Sequence, residues 1–564
     1  MIYKRQPGRF FSTKKASLTI RLILTVVICC SVLESCSKTT GTSGGSYKDL
    51  EQLLEELKVL EKPQLPNNVP DYTSETMTSC GKKLAALRGR LARIDTSGWS
   101  TSEKVDYVLL QAEMNGLDFH LRILRPWARD PAFYALVWNE QSDTPSHEGP
   151  TSHALIDLWT YTYPLSAEDA DRLASQLRII PPLLEQAKTN LTGNAKDLWI
   201  AGIQNLRDQA SELDALAKKA GDTDDDFKDA LSKAKNATDK FADWLEKKAP
   251  SKTGPSGIGK ENYTWHLRHV LLVPLSWEEE VTLLRRELDR AYAMLSLERH
   301  HNRKLPPLKP ISSPEEFDVH ADRSISNLMK FLKDEEILTV RDYMEPALRK
   351  HIGSFVPEEK RNFFLKVIHF EPAVLYTHAT HWFDLARMQY EPHQSAFRRE
   401  PLPFNIWMSR SEGLATGVEE MFSHAGLYDD NPRARELVWI MLAQRCARGL
   451  ASLYAHANEI TLEEARTYQI EWTPKGWMRA DLGLVGFEQQ LYLRQPGYGT
   501  SYVTGKYLVE RLMKDRTRQL ESGFSLRGFF DEMYEAGMIP VSLIRWQLTG
   551  LDDEIRDLSK GQKP

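Results

Sequence analysis

Two histidines three residues apart, His378 and His381, stand in the segment Thr377-His378-Ala379-Thr380-His381-Trp382-Phe383-Asp384. On a helix that spacing puts both imidazoles on one face, with Asp384 one step further along the same edge. Two histidines and a carboxylate are ligand types for zinc or another divalent cation. The spacing differs from the HExxH pattern, whose histidines are four apart with a glutamate base between them. Two helical histidines beside a tryptophan also suit a packed core or groove. A second group lies in Ser411-Glu412-Gly413-Leu414-Ala415 and continues to Glu419, seven residues beyond Glu412 and on the same face. A glutamate among small residues is expensive unless it is paired or ligating; the plainer alternative is a solvated helix start. Gly413, Ala415 and Gly417 permit close helix packing. Further on, Arg448 and His456 are eight apart and roughly share a face. Pro496-Gly497-Tyr498-Gly499 makes a tight turn before a helix that carries Tyr502 at its start. The plainer reading of these two is packing and turn structure. The chain has no GxSxG nucleophile elbow and no GxGxxG dinucleotide loop. Residues 254–260 spell most of a P-loop, but Glu261 stands where a serine or threonine should hold magnesium, so they read as a plain loop.

The elements that must position these residues read as helices. Leu53, Leu54, Leu57 and Leu60 recur at three-to-four spacing. Ser100 with Glu103 predicts a capping box, and Ser276 an N-cap followed by acids in the first turn. Pro181-Pro182 should kink the helix around them. Residues 196–248 predict one or two charged amphipathic helices. The best strand candidate is 365–376, LKVIHFEPAVLY. The fold class expected is therefore mainly α. It is a large helical domain of two packed halves, 49–250 and 260–560, joined by a Gly/Ser/Pro loop at 251–260, with few short strands.

Composition narrows the partners. The 564 residues are 41 % hydrophobic and 27 % charged with a net charge of −5, which gives no basic excess for nucleic acid. Fourteen tryptophans and twenty tyrosines point to a deep aromatic-rich core or groove. Residues 1–36 differ from the rest. Lys4, Arg5, Arg9, Lys14, Lys15 and Arg21 precede an apolar run, 22–33, too short to span a bilayer, which needs about 20 residues. Leu33-Glu34-Ser35-Cys36 then resembles a bacterial lipobox, with Glu34 an unusual residue in it. This predicts a signal segment, a lipid on Cys36, a flexible tether over 37–48, and an exported protein held at the cell envelope. Plain secretion and an uncleaved anchor are the alternatives. Of five cysteines, only Cys80 and Cys446 remain in the mature body, where they could pair. No CxxC pair exists, which excludes a cysteine-rich zinc site.

Several ordered segments together resemble the bacterial domain of unknown function 885 family. They are KVDYVLLQAEM, Arg125-Pro126-Trp127 with Asp130-Pro131, ENYTWHLRHVLLVPLSWEEE, PGYGTSYVTGKYLVERL and FSLRGFFDEMYEAGMIPVSLI. The resemblance runs over nearly the whole mature chain, nearest at the C-terminus, and implies a fold related to HExxH-like metallopeptidases. The family's His-Glu-x-x-Pro-Gly-His motif, aligned on its last histidine, keeps His381 but has Leu375 and Tyr376 where the first histidine and the glutamate base belong. Glu-Gly-Trp-Ala corresponds to Glu412-Gly413-Leu414-Ala415, and the family's Arg and His to Arg448 and His456. The Pro-Gly-Gln turn corresponds to Pro496-Gly497-Tyr498, with Tyr502 kept; Phe529-Phe530-Asp531 lacks the family's histidine. By resemblance His381, Glu412 and a substituting His378 are the metal ligands, and Arg448, His456 and Tyr502 the catalytic groups, all lining one cleft between the halves. Asp384, Glu371 or Glu419 would have to supply the base. A metal hydrolase needs about three protein ligands and a base. The expectation is therefore a degenerate site with zinc bound weakly or not at all, binding a peptide or protein with little or no hydrolysis. The alternative is an active metal-dependent hydrolase with a rearranged site, and convergence of His378, His381 and Glu412 would favour it.

Overall fold

Capping chemistry marks where the chain turns into helix. Ser100, Ser276 and Thr461 each form a capping box with the acid three residues on, Glu103, Glu279 and Glu464. The computed structural model describes residues 45–378, 380–404 and 406–560. The signal segment, Cys36 and all but the end of the tether lie outside the described residues. Helix makes up 69 % of the described residues, and two short strands, β1 (Val137–Trp138) and β2 (Ile156–Asp157), pair in parallel. Among the described residues no helix is long and apolar enough to cross a membrane.

The N-terminal part begins with α1 (Tyr47–Glu61), α2 (Ser74–Leu91) and α3 (Thr101–Phe119). It continues with α4 (Ala167–Leu177), α5 (Ile180–Asn190), α6 (Lys196–Lys219) and α7 (Asp225–Lys248). Pro181-Pro182 break the helix instead of kinking it. α4 stops at Leu177 and the prolines occupy the first turn of α5, where a missing N–H costs nothing. Residues 196–248 form two helices, α6 and α7.

The apolar core divides differently from chain order. α4–α7 pack around Phe133, Tyr134, Leu183, Trp199 and Phe241 as a core of their own. Leu53, Leu57, Leu84, Leu109 and Met114 of α1–α3 instead join the core of the C-terminal helices, with Leu284, Ile440, Leu450 and Leu512. The reason lies in α3, whose sequence is apolar on more than one face: Val105, Leu109, Leu110, Met114, Leu117 and Phe119 are all buried. The unit 49–250 is thus split between two cores.

The C-terminal part holds α8 (Trp277–His301), α9 (Pro314–Asp334), α10 (Phe363–Phe370), α11 (Pro372–His378), α12 (Thr380–Tyr390), α13 (Met408–His424), α14 (Ala434–His456), α15 (Leu484–Arg494) and α16 (Tyr498–Leu520). The expected strand over 365–376 is helical. Asn362 caps α10 by accepting from Leu365 N–H, Glu371 is extended, and Pro372 starts α11. The apolar run that read as a strand is the buried face of two short helices. Cys80 and Cys446 are both free thiols.

Candidate metal centre

α13 and α16 cross with their backbones in contact, and glycine makes that possible. A Cβ on Gly413 would lie 2.3 Å from the carbonyl carbon of Gly505, and one on Gly505 would lie 2.2 Å from the carbonyl oxygen of Ser409. The small-residue face predicted for α13 is used here at Gly413. Gly497 turns the chain into α16 with φ +85°, a left-handed conformation that favours glycine. The crossing seats Glu412 of α13 beside Tyr498 of α16. α12 is tied to α13 by a buried two-point ion pair: Arg410 donates to Asp384 over 2.9 and 3.0 Å.

Three potential ligand atoms converge between these helices. One atom each from His378, His381 and Glu412 lies within 4.8 Å of the others. His381 Nε2 is 3.3 Å and His378 Nε2 3.7 Å from Glu412 Oε2. His381 Nε2 and Glu412 Oε2 are buried and have no hydrogen-bond partner. The other edge of each side chain is engaged. His381 Nδ1 is 2.9 Å from Ser411 Oγ, Tyr498 OH donates to Glu412 Oε1 over 2.8 Å, and His378 Nδ1 lies 3.1 Å from Glu419 Oε1. Glu419 is gripped by both terminal nitrogens of Arg445, whose Nη2 also lies 3.2 Å from His378 Nδ1. A carboxylate behind a histidine, with the opposite ring nitrogen left free, is the arrangement that fixes a metal-ligating imidazole. The residues present fit a divalent cation: two neutral-capable imidazoles and one carboxylate whose facing atoms, His381 Nε2 and Glu412 Oε2, make no hydrogen bond outside the cluster.

The electrostatics follow from burial and neighbours. Burial, and then Arg445, hold His378 well below its ordinary value, so it is neutral. Burial also opposes charge on His381, but the Glu412 carboxylate outweighs it and raises the imidazole to about 9. Glu412 in turn is held at about 2 against its burial, chiefly by His381. Without a cation, the centre is a buried imidazolium–carboxylate pair.

The other sequence-predicted residues fall in two places. Tyr502 stacks on His378 with ring centroids 6.1 Å apart, and the Arg448 guanidinium lies 3.9 Å from the Tyr502 ring centre. Arg448 is itself paired with Glu488 at 2.6 Å. His456 does not join them. It donates from Nε2 to the Tyr492 carbonyl over 2.9 Å and packs against Tyr263. Of the three carboxylates considered as base, Asp384 belongs to Arg410 and Glu419 to Arg445. Glu371 accepts from Asn431 over 2.7 Å and from Ala373 N–H. Tyr376 is buried and donates to the Ile352 carbonyl over 2.8 Å.

The sequence reading missed Tyr498, Arg445, Asp143 and Glu148. Arg445 is three residues before Arg448 on a helix with a long buried run, a signal that one buried arginine there implies a carboxylate partner. Asp143 and Glu148 carry no local motif. They lie in loop 139–153, whose backbone is fixed beside the turn before α16: Gly149 N–H donates to Gln495 Oε1 over 2.7 Å and Arg494 to the Pro150 carbonyl over 2.8 Å. Burial, then Asp143, and further along Glu412, push the Glu148 carboxyl up to about 7. A cavity of about 1260 Å³ lies beyond this loop, bounded by α1–α3 on one side and Met408, Arg494 and Pro496 on the other; none of the six predicted site residues lines it.

Fold and cluster together define a large helical protein with a two-histidine, one-carboxylate centre. The chain belongs to the family described as bacterial protein of unknown function DUF885, whose model matches residues 61–351. The match ends before His378, so the C-terminal segments that carried part of the resemblance lie beyond it. No sequence among curated proteins matches the chain. Two solved structures share the fold. A candidate lipoprotein of unknown function from Shewanella oneidensis superposes with a TM-score of 0.64 at 13 % identity, over 89 % of this chain and 99 % of its own. A candidate lipoprotein from Colwellia psychrerythraea gives 0.58 at 13 % identity, over 89 % and 97 %.

Proposed function

We propose that the chain is an envelope-anchored, divalent-metal-dependent hydrolase whose centre is His378, His381 and Glu412. The observation that carries the reading is the convergence of those three side chains within 4.8 Å, with His381 Nε2 and Glu412 Oε2 facing each other at 3.3 Å and making no hydrogen bond elsewhere. A divalent cation held there supplies Lewis acidity. The chain's own residues do the rest. Glu419 fixes the His378 ring, Ser411 the His381 ring, and Tyr498 the Glu412 carboxylate. Tyr376 cannot replace the lost glutamate base, because its hydroxyl is spent on Ile352. Peptide is the substrate class implied by the metallopeptidase resemblance. Metal analysis of residues 37–564, with and without His381→Ala, tests the centre. One equivalent of zinc or a similar cation in the parent chain and none in the variant is expected. Cleavage of a peptide library by loaded parent protein, absent from the variant, is expected next.

A second reading is favoured by one observation: Glu412 and His381 are 1 % and 2 % exposed and His378 only 14 %, so the centre is nearly closed. In that reading the cation is structural and the protein binds peptide without cutting it. Stoichiometric metal with no turnover would select it. The envelope location rests on the lipobox-like Cys36 and on the two candidate lipoproteins that share the fold. Cys36→Ala should still be exported but be released from membranes; retention would mean an uncleaved anchor.

A further inference from the structure

The cavity of about 1260 Å³ is separate from the metal cluster and has a chemistry of its own. Its walls are mixed: Leu60, Leu87, Leu117, Leu124, Trp127 and Phe404 give apolar surface beside charged groups such as Lys62, Lys83 and Arg90. Three carboxylates of α1 line it, Glu55, Glu56 and Glu61, and a fourth, Glu113 of α3, lies buried behind the wall. Glu61, the last residue of α1, lines the cavity, and its Oε1 is shut off from solvent with no hydrogen-bond partner. Glu113 of α3 stands one turn before Leu117 and two before His120, both wall residues, and so lies on the cavity-facing stripe of that helix. It is 0 % exposed. Its Oε1 accepts from Phe404 N–H over 3.2 Å, and its Oε2 has no partner.

A buried carboxylate without a partner is costly, and among the described residues no cation forms an ion pair with either acid; Lys58 and Lys62 pull on Glu61 without offsetting its burial. Of the four histidines in the walls, burial holds His120 and His266 at about 4 and about 3 and also lowers His153. Arg90 is taken by both oxygens of Glu56, and Lys58 faces Glu55 and Glu400. Burial raises both carboxyls, Glu61 to about 8, and Glu61 adds to the rise at Glu113. Two carboxylates are too few for a hard metal ion, which takes six or more oxygens. An ammonium group has three N–H donors to distribute, and an apolar body attached to it would cover the leucine and aromatic walls.

We propose that this cavity is a binding site for an organic ammonium carried on an apolar body, held between Glu61 and Glu113. The proposal does not rest on the metal centre, and its test uses protein stripped of metal. Isothermal titration compares leucinamide and n-hexylamine with their uncharged counterparts, N-acetyl-leucinamide and n-hexanol. At least one ammonium probe should bind about tenfold or more tightly than its counterpart, as expected for charge-assisted hydrogen bonds. Preference for leucinamide identifies a peptide amine as the natural group, and preference for hexylamine an alkylamine. Glu113→Gln and Glu61→Gln should each erase the discrimination while circular dichroism stays unchanged. Should Glu113→Gln fail to fold, Glu61→Gln, at a half-buried helix end, carries the test. Equal binding of charged and uncharged probes, no binding of any of the four, or discrimination that survives in the variants would overturn the proposal.

Discussion

His381 and His456 are both buried histidines in the C-terminal helices, 2 % and 0 % exposed, and both correspond to site positions in the family resemblance. Their surroundings differ. His456 donates to a backbone carbonyl, and among the described residues no carboxylate pairs with it; burial lowers it to about 4. His381 faces Glu412 at 3.3 Å and is raised to about 9 against the same burial. Burial alone yields a neutral, inert imidazole. Burial beside a carboxylate oxygen that has no partner outside the cluster, with a second imidazole 3.7 Å from the same oxygen, yields a place for a cation. A histidine in a family-like position is therefore not by itself a site residue; the second and third ligands decide.

Ranked by effect on metal affinity, removal of a ligand comes first. Glu412→Gln takes away the charged member and should weaken zinc binding by more than about 100-fold, beyond what loss of an outer partner costs. Competition against a chelator of known affinity measures it. Binding within tenfold of the parent would mean that the convergence is an ion pair and nothing more. Glu419→Gln comes next. It removes the carboxylate behind His378 and should cost about 10- to 100-fold in affinity. It also leaves Arg445 buried without its partner, so a drop in thermal stability of the metal-free protein is expected alongside. A drop in stability without any change in metal affinity would make Glu419 a purely structural partner of Arg445.

How much of this could be read in the residues follows from how local each cause is. Helix starts at Ser100 and Ser276 depend on three or four consecutive residues, and the helical class is legible from them. His378, His381 and Glu412 could be singled out because they sit in short motifs. What could not be read is long-range. The Gly413–Gly505 contact joins residues 92 apart in sequence, and only the crossing of α13 with α16 reveals why Tyr498 holds Glu412. Asp143 and Glu148 act on the centre's electrostatics from a loop far away in sequence and without a motif. The strand expected at 365–376 failed because an apolar run of that length is compatible with either element. There the caps Asn362 and Pro372 carried the information, and the hydrophobic pattern did not.

The smallest effect is expected at His456. His456→Gln preserves an N–H donor for the Tyr492 carbonyl and touches none of the converging atoms. Metal affinity near pH 7.5 should stay within about twofold of the parent, as for independent sites. The same variant should leave a mark on stability elsewhere. In the native chain His456 takes up a proton only near pH 4, whereas an unfolded histidine does so near 6.5. Between those values the unfolded state binds more protons, so stability falls as pH is lowered through that window and is fully retained above it. The loss is on the order of 3 kcal/mol by the bottom of the window for a shift of this size. Glutamine does not titrate, so urea unfolding of His456→Gln from pH 7 to pH 4 should be flatter than that of the parent by about that amount. An equal acid slope in both proteins would remove the burial argument for His456. A fall in zinc affinity comparable to that of Glu419→Gln would place it in the centre after all, and the contrast between the two histidines would collapse.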